Sequence, residues 1–305
     1  MKGYIKTVLT SFLLIIFLCG CNADFTNFLI NPSGQNDFVE GKTLVVDFFD
    51  VGQADCSLIR FPDKKTMLID AGNNNDGDYI ARHLKQLGIK TIDFLVLTHP
   101  HEDHIGGADD IIEAFEIGKI IMPKIGSNDI PQSDVYRELL ETIHNENHRI
   151  TTAVAGKNLS DSEQYSVTCL SPSGSDYGSL NNYSVVLMIK CFNTKFLFMG
   201  DAESPIEKEL INKKADIDAD ILKVSHHGSG LSTTEGFLRH VTPDYSIISC
   251  GENNRYGHPG NKTISRLNQH GSKIFRTDKD GSVRVICYQN EYSVNKNDIC
   301  LDGNR

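Results

Sequence analysis

The chain has 305 residues, 39% of them apolar and 23% charged, with no repeat and no low-complexity block. That composition suits a soluble globular protein with one large core or two small ones. The formal net charge of −10 argues against attraction of nucleic acid by bulk field, though it leaves room for a local basic groove.

Met1–Lys6 is a short basic stretch, and the apolar run VLTSFLLIIFL after it is too short for a comfortable membrane span. It ends in Leu18-Cys19-Gly20-Cys21, which resembles a bacterial lipobox. The implied reading is a signal peptide over 1–20, cleavage before Cys21 and a lipid on its thiol; a plain signal peptide or an uncleaved anchor is the alternative. Residues 21–40 are polar and turn-rich and read as a tether, leaving one domain over 41–305. The protein would then lie outside the cytoplasm, held to a membrane through Cys21. No protein partner is predicted.

Beyond residue 40, short apolar runs rich in β-branched residues recur at strand length: 43–50, 56–61, 66–70, 94–98, 119–123, 166–171, 183–192, 195–200, 220–225, 245–250 and 282–288. Helical patterns fall between several of them, at 78–88 (stopped by Gly88), 133–147 (opened by Ser133), 203–214, 233–241 and 261–270. The first three strands crowd together as a meander, and the later ones alternate with helices. Two sheets with helices outside, in one α/β domain, is the expected architecture. Cys56, Cys169, Cys191, Cys250 and Cys287 lie mostly in the apolar runs and read as small buried hydrophobes. Cys287 and Cys300 flank a C-terminal hairpin and could pair in an oxidising compartment.

The run at 94–98 leads into His99-Pro-His101-Glu-Asp103-His104, three imidazoles and a carboxylate within six residues. Pro100 and the following Ile-Gly-Gly make a continuing strand improbable. A turning loop can aim His99 and His101 at one point and Asp103 and His104 at another. Two nearby points suggest two metal ions, commonly about 3.5–4 Å apart. Imidazole and carboxylate donors suit zinc, manganese or iron. Cations so close need an anion between them, and Asp201 emerges after the strand-like KFLFMG. Another apolar run, DILKVS, ends in His226 and His227, of which one need bind metal while the other contacts a substrate oxygen or moves a proton. His258 is a second proton-transfer candidate. Its neighbours Asn254, Arg255 and Tyr256 would suit a phosphate oxyanion, the alternative being a surface turn. The remaining histidines on helical patterns, His83, His144, His240 and His270, are expected to be solvated.

HPHEDH resembles the His-x-His-x-Asp-His signature of the metallo-β-lactamase superfamily. The pieces FFDVGQADCSLIRFPDKKTMLIDAG, LVLTHPHEDHIGG, SLNNYSVVLMI, FLFMGDAE, DILKVSHHGS and NNRYGHPG, in that order over roughly 43–285, resemble more narrowly the hydrolase domain of ComEC-type competence proteins. Choline-esterase domains of the superfamily are similar too. The resemblance implies a four-layer αββα sandwich, with His99 and His101 on one metal, Asp103 and His104 on the other, Asp201 bridging and His227 as the ligand of the histidine pair. It makes Asp70 a partner that fixes the ligand loop, its bland reading being a turn residue. Two divalent ions, zinc or manganese, are the implied cofactors, and Asp103, His226 and His258 the catalytic candidates.

Relatives often carry a further mid-chain histidine ligand. Here no histidine occurs between His148 and His226, and Asn181-Asn182-Tyr183-Ser184 stands in its place. The His99/His101 metal would then have one protein ligand fewer, with Asn182 or water instead, and bind more weakly. The usual VGQGDS reads VGQADC, which strains Ala54 if the position needs positive φ and removes a hydroxyl at Cys56. A phosphoester is the expected substrate, with single-stranded DNA suggested by the resemblance. A phosphorylcholine-type esterase and a non-catalytic surface binding protein are the alternatives, and β-lactam hydrolysis is disfavoured by the missing histidine.

Overall fold

The computed structural model describes residues 38–160, 162–289 and 291–297. The chain divides between Asp37 and Phe38, and the fold below is that of the second unit. The expectations for residues 1–37, including the signal segment and the lipid on Cys21, lie outside the described residues, as does Cys300.

In chain order the first half contributes β1 (Thr43–Phe48), β2 (Ser57–Arg60), β3 (Thr66–Ile69), α1 (Gly77–Gln86), β4 (Thr91–Val96), α2 (Glu102–Ile105), α3 (Ala108–Ala114), β5 (Glu116–Met122), α4 (Asp134–Asn145) and β6 (Ile150–Thr152). The second half contributes β7 (Tyr165–Ser171), β8 (Val186–Cys191), β9 (Thr194–Phe198), α5 (Ser204–Asn212), β10 (Ile221–Lys223), α6 (Glu235–Val241), β11 (Tyr245–Ile248), α7 (Asn261–Gln269), β12 (Lys273–Arg276), α8 (Thr277–Asp280), β13 (Ser282–Tyr288) and β14 (Glu291–Asn297). One sheet has the order β14-β13-β1-β2-β3-β4-β5-β6, the other β12-β11-β10-β9-β8-β7. β13 returns to the first sheet and pairs antiparallel with β1, Val46 opposite Val285.

Strand alternation builds the layers. In β1, Leu44, Val46 and Phe48 join Met67, Ile69, Phe94 and Val96 in an apolar layer that also holds Val167, Leu187, Ile189, Phe196 and Phe198 of the other sheet. The opposite face of the first sheet, with Leu58, Leu68 and Leu95, packs on Ile80, Leu84, Ile111 and Leu139 of the helices. The outer face of the second sheet, with Met188, Leu197 and Leu222, packs on Ile206, Leu210, Phe237, Leu238 and Leu267. The result is the αββα sandwich. Each fully buried Leu or Phe contributes about 1.5–3 kcal/mol.

The helix signals work as expected. The Ser133 hydroxyl caps α4 by accepting from the Tyr136 amide at 3.3 Å, and Gly88 after α1 adopts φ 77°. No expected run or pattern covers α2, α3, α8, β6 or β12, and β14 was expected only as part of the C-terminal hairpin. β6 is three exposed residues and so shows no apolar run. One expectation needs correction: His83 is 5% exposed, not solvated. It lies on the inner face of α1, edge-on to Phe49 at 5.0 Å between ring centroids. The other three helix histidines are exposed or half-buried.

Pairing direction decides where the site lies. β3, β4 and β5 are parallel, as are β9, β10, β11 and β12. Parallel strands deliver their C-terminal ends to one edge of a sheet. Asp70, His99, Asp201 and His226 each follow such an end within three residues.

Candidate metal centre

The ligand loop leaves β4 at Thr98, turns at Pro100 and enters α2, with His101 extended at its N-terminus (φ −79°, ψ 148°). His99 Nε2 and His101 Nδ1 face each other at 3.0 Å. Glycines after the motif let this turn pack down: a Cβ on Gly106 would lie 2.2 Å from the Asn74 nitrogen. Gly200, before Asp201, has φ 52°, and a Cβ there would press on Ser184 Oγ at 3.0 Å and Thr98 Cβ at 3.2 Å. The close approach lets Ser184 Oγ accept from the Asp201 amide at 3.0 Å.

Asp103, His104, Asp201 and His227 bring one donor atom each within 4.8 Å of one another. His227 Nε2 lies 3.1 Å from Asp103 Oδ2 and 3.7 Å from Asp201 Oδ2. His104 Nε2 lies 3.3 Å from Asp201 Oδ1. Both of those atoms are buried, and apart from this charge contact neither makes an aligned hydrogen bond among the described residues. Asp201 Oδ2 is also 3.9 Å from His99 Nε2 and 3.7 Å from His226 Nε2. A carboxylate fully inside a ring of imidazole nitrogens is a suitable shared donor for two cations.

The surrounding hydrogen bonds orient these donors. Asp70, 1% exposed, accepts from the Thr98 amide at 2.7 Å, from Thr98 Oγ1 at 2.8 Å, and faces His104 Nδ1 at 2.7 Å. It holds the ligand loop and leaves His104 Nε2 for a metal. Its φ of 60° is a left-handed conformation that costs a non-glycine residue about 1–3 kcal/mol. His226 and His227 both have φ 50°, so the backbone strain gathers here. His227 Nδ1 donates to the Ser249 carbonyl at 3.0 Å, again freeing Nε2.

Charge is distributed unevenly. Burial pushes the His99 pKa well below the histidine range, helped by His104. For His104 burial acts in the same sense, but the carboxylates of Asp201, Asp70 and Asp103 outweigh it and hold the pKa well up. For Asp201 burial opposes ionisation, yet His104 and His227 keep its pKa well below the carboxylate range. Asp103 is lowered in the same way, against its own burial, by His104 and His227. The cluster is therefore built around ionised carboxylates.

The centre opens into a cavity of about 280 Å³ lined by Gln53, His101, Glu102, Asp103, Asn181, Asp201, His226, His227, Tyr256 and His258. His226 Nδ1 faces Glu203 Oε1 at 3.4 Å. His258 stacks near Tyr256, with ring centroids 5.8 Å apart, and burial with His226 and His227 lowers its pKa. Asn182 is placed otherwise than the sequence suggested: its Oδ1 accepts from the Glu203 amide at 3.1 Å, while Asn181 lines the cavity. Asn254 is also turned inward on its own loop, donating to Gly251 O and accepting from the Tyr256 and His258 amides. Arg255 lies with its guanidinium 4.9 Å from the Tyr256 ring centre. Ala54 is buried and is not among the residues with positive φ. Burial, with Asp70 and Asp76, pushes the Cys56 thiol up.

Sequence reasoning missed a buried ion pair under the centre. Lys223 Nζ lies 2.7 Å from Asp55 Oδ2, with side chains 3% and 5% exposed, and Asp55 Oδ1 lies 3.6 Å from His227 Nδ1. The pair joins the two sheets, since Lys223 belongs to β10 and Asp55 follows β1. A lysine inside DILKVS, otherwise a buried run, was the available signal.

The pattern of the metallo-beta-lactamase superfamily matches residues 49–252. ComE operon protein 3 of Bacillus subtilis (strain 168) is 33% identical over 257 residues, covering 78% of this chain and 32% of that protein. Recombination protein 2 of Haemophilus influenzae is 30% identical over 257 residues, covering 83% of this chain and 30% of that protein. The chain thus spans about a third of the length of these relatives. CmlA, a diiron β-hydroxylase from Streptomyces venezuelae, superposes with a TM-score of 0.53 at 16% identity, over 82% of this chain and 55% of CmlA, which shows the shared fold. With the sandwich, the histidine-aspartate cluster at its edge and the family pattern in hand, the chain belongs to the metallo-β-lactamase superfamily.

Proposed function

We propose that this chain is a two-metal hydrolase of phosphodiesters, with single-stranded DNA as the favoured substrate. The observation that carries the reading is the Asp103–His104–Asp201–His227 cluster, whose donor atoms converge within 4.8 Å of one another, with His104 Nε2 and Asp201 Oδ1 buried 3.3 Å apart and held by no aligned hydrogen bond among the described residues. These donors fit a divalent metal such as zinc or manganese. Asp103, His104, Asp201 and His227 would hold one ion, and His99, His101 and Asp201 the other. A bound pair supplies Lewis acidity and lowers the pKa of water from 15.7 toward about 7. The chain's own part is orientation: Asp70 and Ser249 fix the two imidazoles, and Asp201 supplies the shared negative charge. His226 and His258 line the cavity, where either can exchange a proton with a leaving group. With Asn182 turned away and no mid-chain histidine, the His99/His101 position has fewer protein donors and is the weaker site. No helix among the described residues is long and apolar enough to cross a membrane. A lipid on Cys21, holding the enzyme outside the cytoplasm, completes the proposal, and mass spectrometry of Cys21 in chain recovered from membranes tests it.

The enzymatic test compares chelator-treated protein with zinc- and manganese-reloaded protein. The substrates are bis-p-nitrophenyl phosphate, p-nitrophenyl phosphorylcholine, single-stranded DNA and a chromogenic cephalosporin. Metal-restored cleavage of the first and third is expected. Cleavage of the cephalosporin alone, or of the choline ester alone, would overturn the reading. Absence of bound metal and of any turnover would leave a binding protein.

A further inference from the structure

A second cavity, of about 400 Å³, adjoins the metal cavity and shares Gln53, Glu102, Asp103 and Tyr256 with it as common walls. Its other walls include Asn73 and Arg255. Tyr256 is 55% exposed, the one aromatic among the exposed large apolar side chains of the described residues. Leaving a tyrosine ring in water forfeits burial, so its position between two cavities calls for an explanation. The loop beneath it is not slack. Asn254 ties it internally through both ends of its amide, accepting from the Tyr256 amide at 3.2 Å. Arg255 donates to the Tyr256 hydroxyl at 2.7 Å.

Charge discriminates among possible occupants. In the outer cavity the two carboxylates of Glu102 and Asp103 outnumber the single guanidinium of Arg255, and of the metal-ligand cluster only Asp103 lies on its walls, so it is a poor second phosphate site. A quaternary ammonium would be drawn to the carboxylates and to an aromatic face. Here a guanidinium already stands by that ring. A neutral, flat group meets neither objection. It can stack on the Tyr256 ring, while Gln53, whose Oε1 accepts from the Gly251 amide, keeps its NH2 as a donor, and Asn73, whose Nδ2 donates to Asp76, keeps its carbonyl as an acceptor for the edge of the group.

Resting on the phosphodiesterase reading, we infer that the outer cavity is a nucleobase subsite, with Tyr256 as its stacking platform. It takes an unpaired base next to the phosphate at the metal centre. A base inside a duplex is already stacked and cannot enter, which gives the enzyme its preference for single strands. Stacking on one aromatic ring corresponds to roughly 5- to 150-fold in affinity.

The experiment uses the metal-loaded full chain with bis-p-nitrophenyl phosphate as reporter. It measures the inhibition constants of a thymidine 12-mer, an abasic 12-mer of the same backbone, and phosphocholine, for wild type, Y256F and Y256A. The thymidine oligomer is expected to inhibit at least about 5-fold more tightly than the abasic one in wild type and Y256F, with the two converging in Y256A. Equal inhibition by both oligomers in wild type overturns the subsite, and a preference that survives in Y256A overturns the platform. Phosphocholine outcompeting both oligomers, with that advantage lost in Y256A, assigns the cavity to a choline group instead. No turnover of the reporter by wild type refutes the phosphodiesterase reading itself.

Discussion

Replacing Lys223 by Met tests the ion pair beneath the centre. The substitution keeps the length and apolar stem of the side chain and removes the charge that faces Asp55 at 2.7 Å. Asp55 is 4% exposed, so water cannot take the place of the ammonium. Breaking a buried pair by removing one partner costs about 3–5 kcal/mol. For a domain of this size, 1 kcal/mol moves the midpoint by about 2–4 °C, so Tm should fall by about 6–20 °C. The assay is thermal unfolding of metal-free protein followed by far-UV circular dichroism, for wild type, K223M, D55N and the double variant. Removing both charges eliminates the stranded carboxylate, so the double variant should recover much of the loss, a favourable coupling of more than about 1 kcal/mol. Because Asp55 Oδ1 also lies 3.6 Å from His227 Nδ1, K223M should weaken zinc binding by about 10- to 100-fold. A K223M midpoint within 2 °C of wild type (roughly 1 kcal/mol or less), or a double variant no better than K223M, would refute the reasoning.

D201N removes the shared negative charge, so metal analysis should find fewer ions per chain and kcat should fall by at least about 100-fold; full metal content would show that Asp201 is not a common donor. Burial pushes the His83 pKa below the histidine range, only partly opposed by Asp47. The unfolded chain therefore binds this proton first, and stability falls as pH drops through about 6.5, by at most about 1.4 kcal/mol per pH unit. H83F, which keeps a ring against Phe49, should lose less Tm than wild type between pH 7.5 and 5.5, and equal losses would exclude this role. Burial raises the thiols of Cys169, Cys191 and Cys250 to about 12, so the native protein should leave them unlabelled by a thiol reagent at pH 8 until it is denatured.

Much of the fold was legible because it is encoded locally. Eleven apolar runs and five helical patterns mark strands and helices that the structure contains, since side-chain alternation and capping act within a few residues. The histidine-aspartate motif could be read for the same reason: one tight turn holds His99, His101, Asp103 and His104. Asp201 and His227 were marked by the apolar strands before them.

Tertiary structure alone decided the rest. Strand order in the sheets brings Asp70, Asp201 and His227 to the same edge, because chain segments far apart in sequence pair side by side there. Which of Asn181 and Asn182 faces the cavity depends on the torsions of a short 3-10 turn, where adjacent side chains point in different directions. His83 is buried because α1 sets that face on the sheet, although Arg82 and Lys85 close by in sequence are charged. The Lys223–Asp55 pair exists only where the two sheets meet, and a charge can stay buried there because its partner arrives from the other sheet.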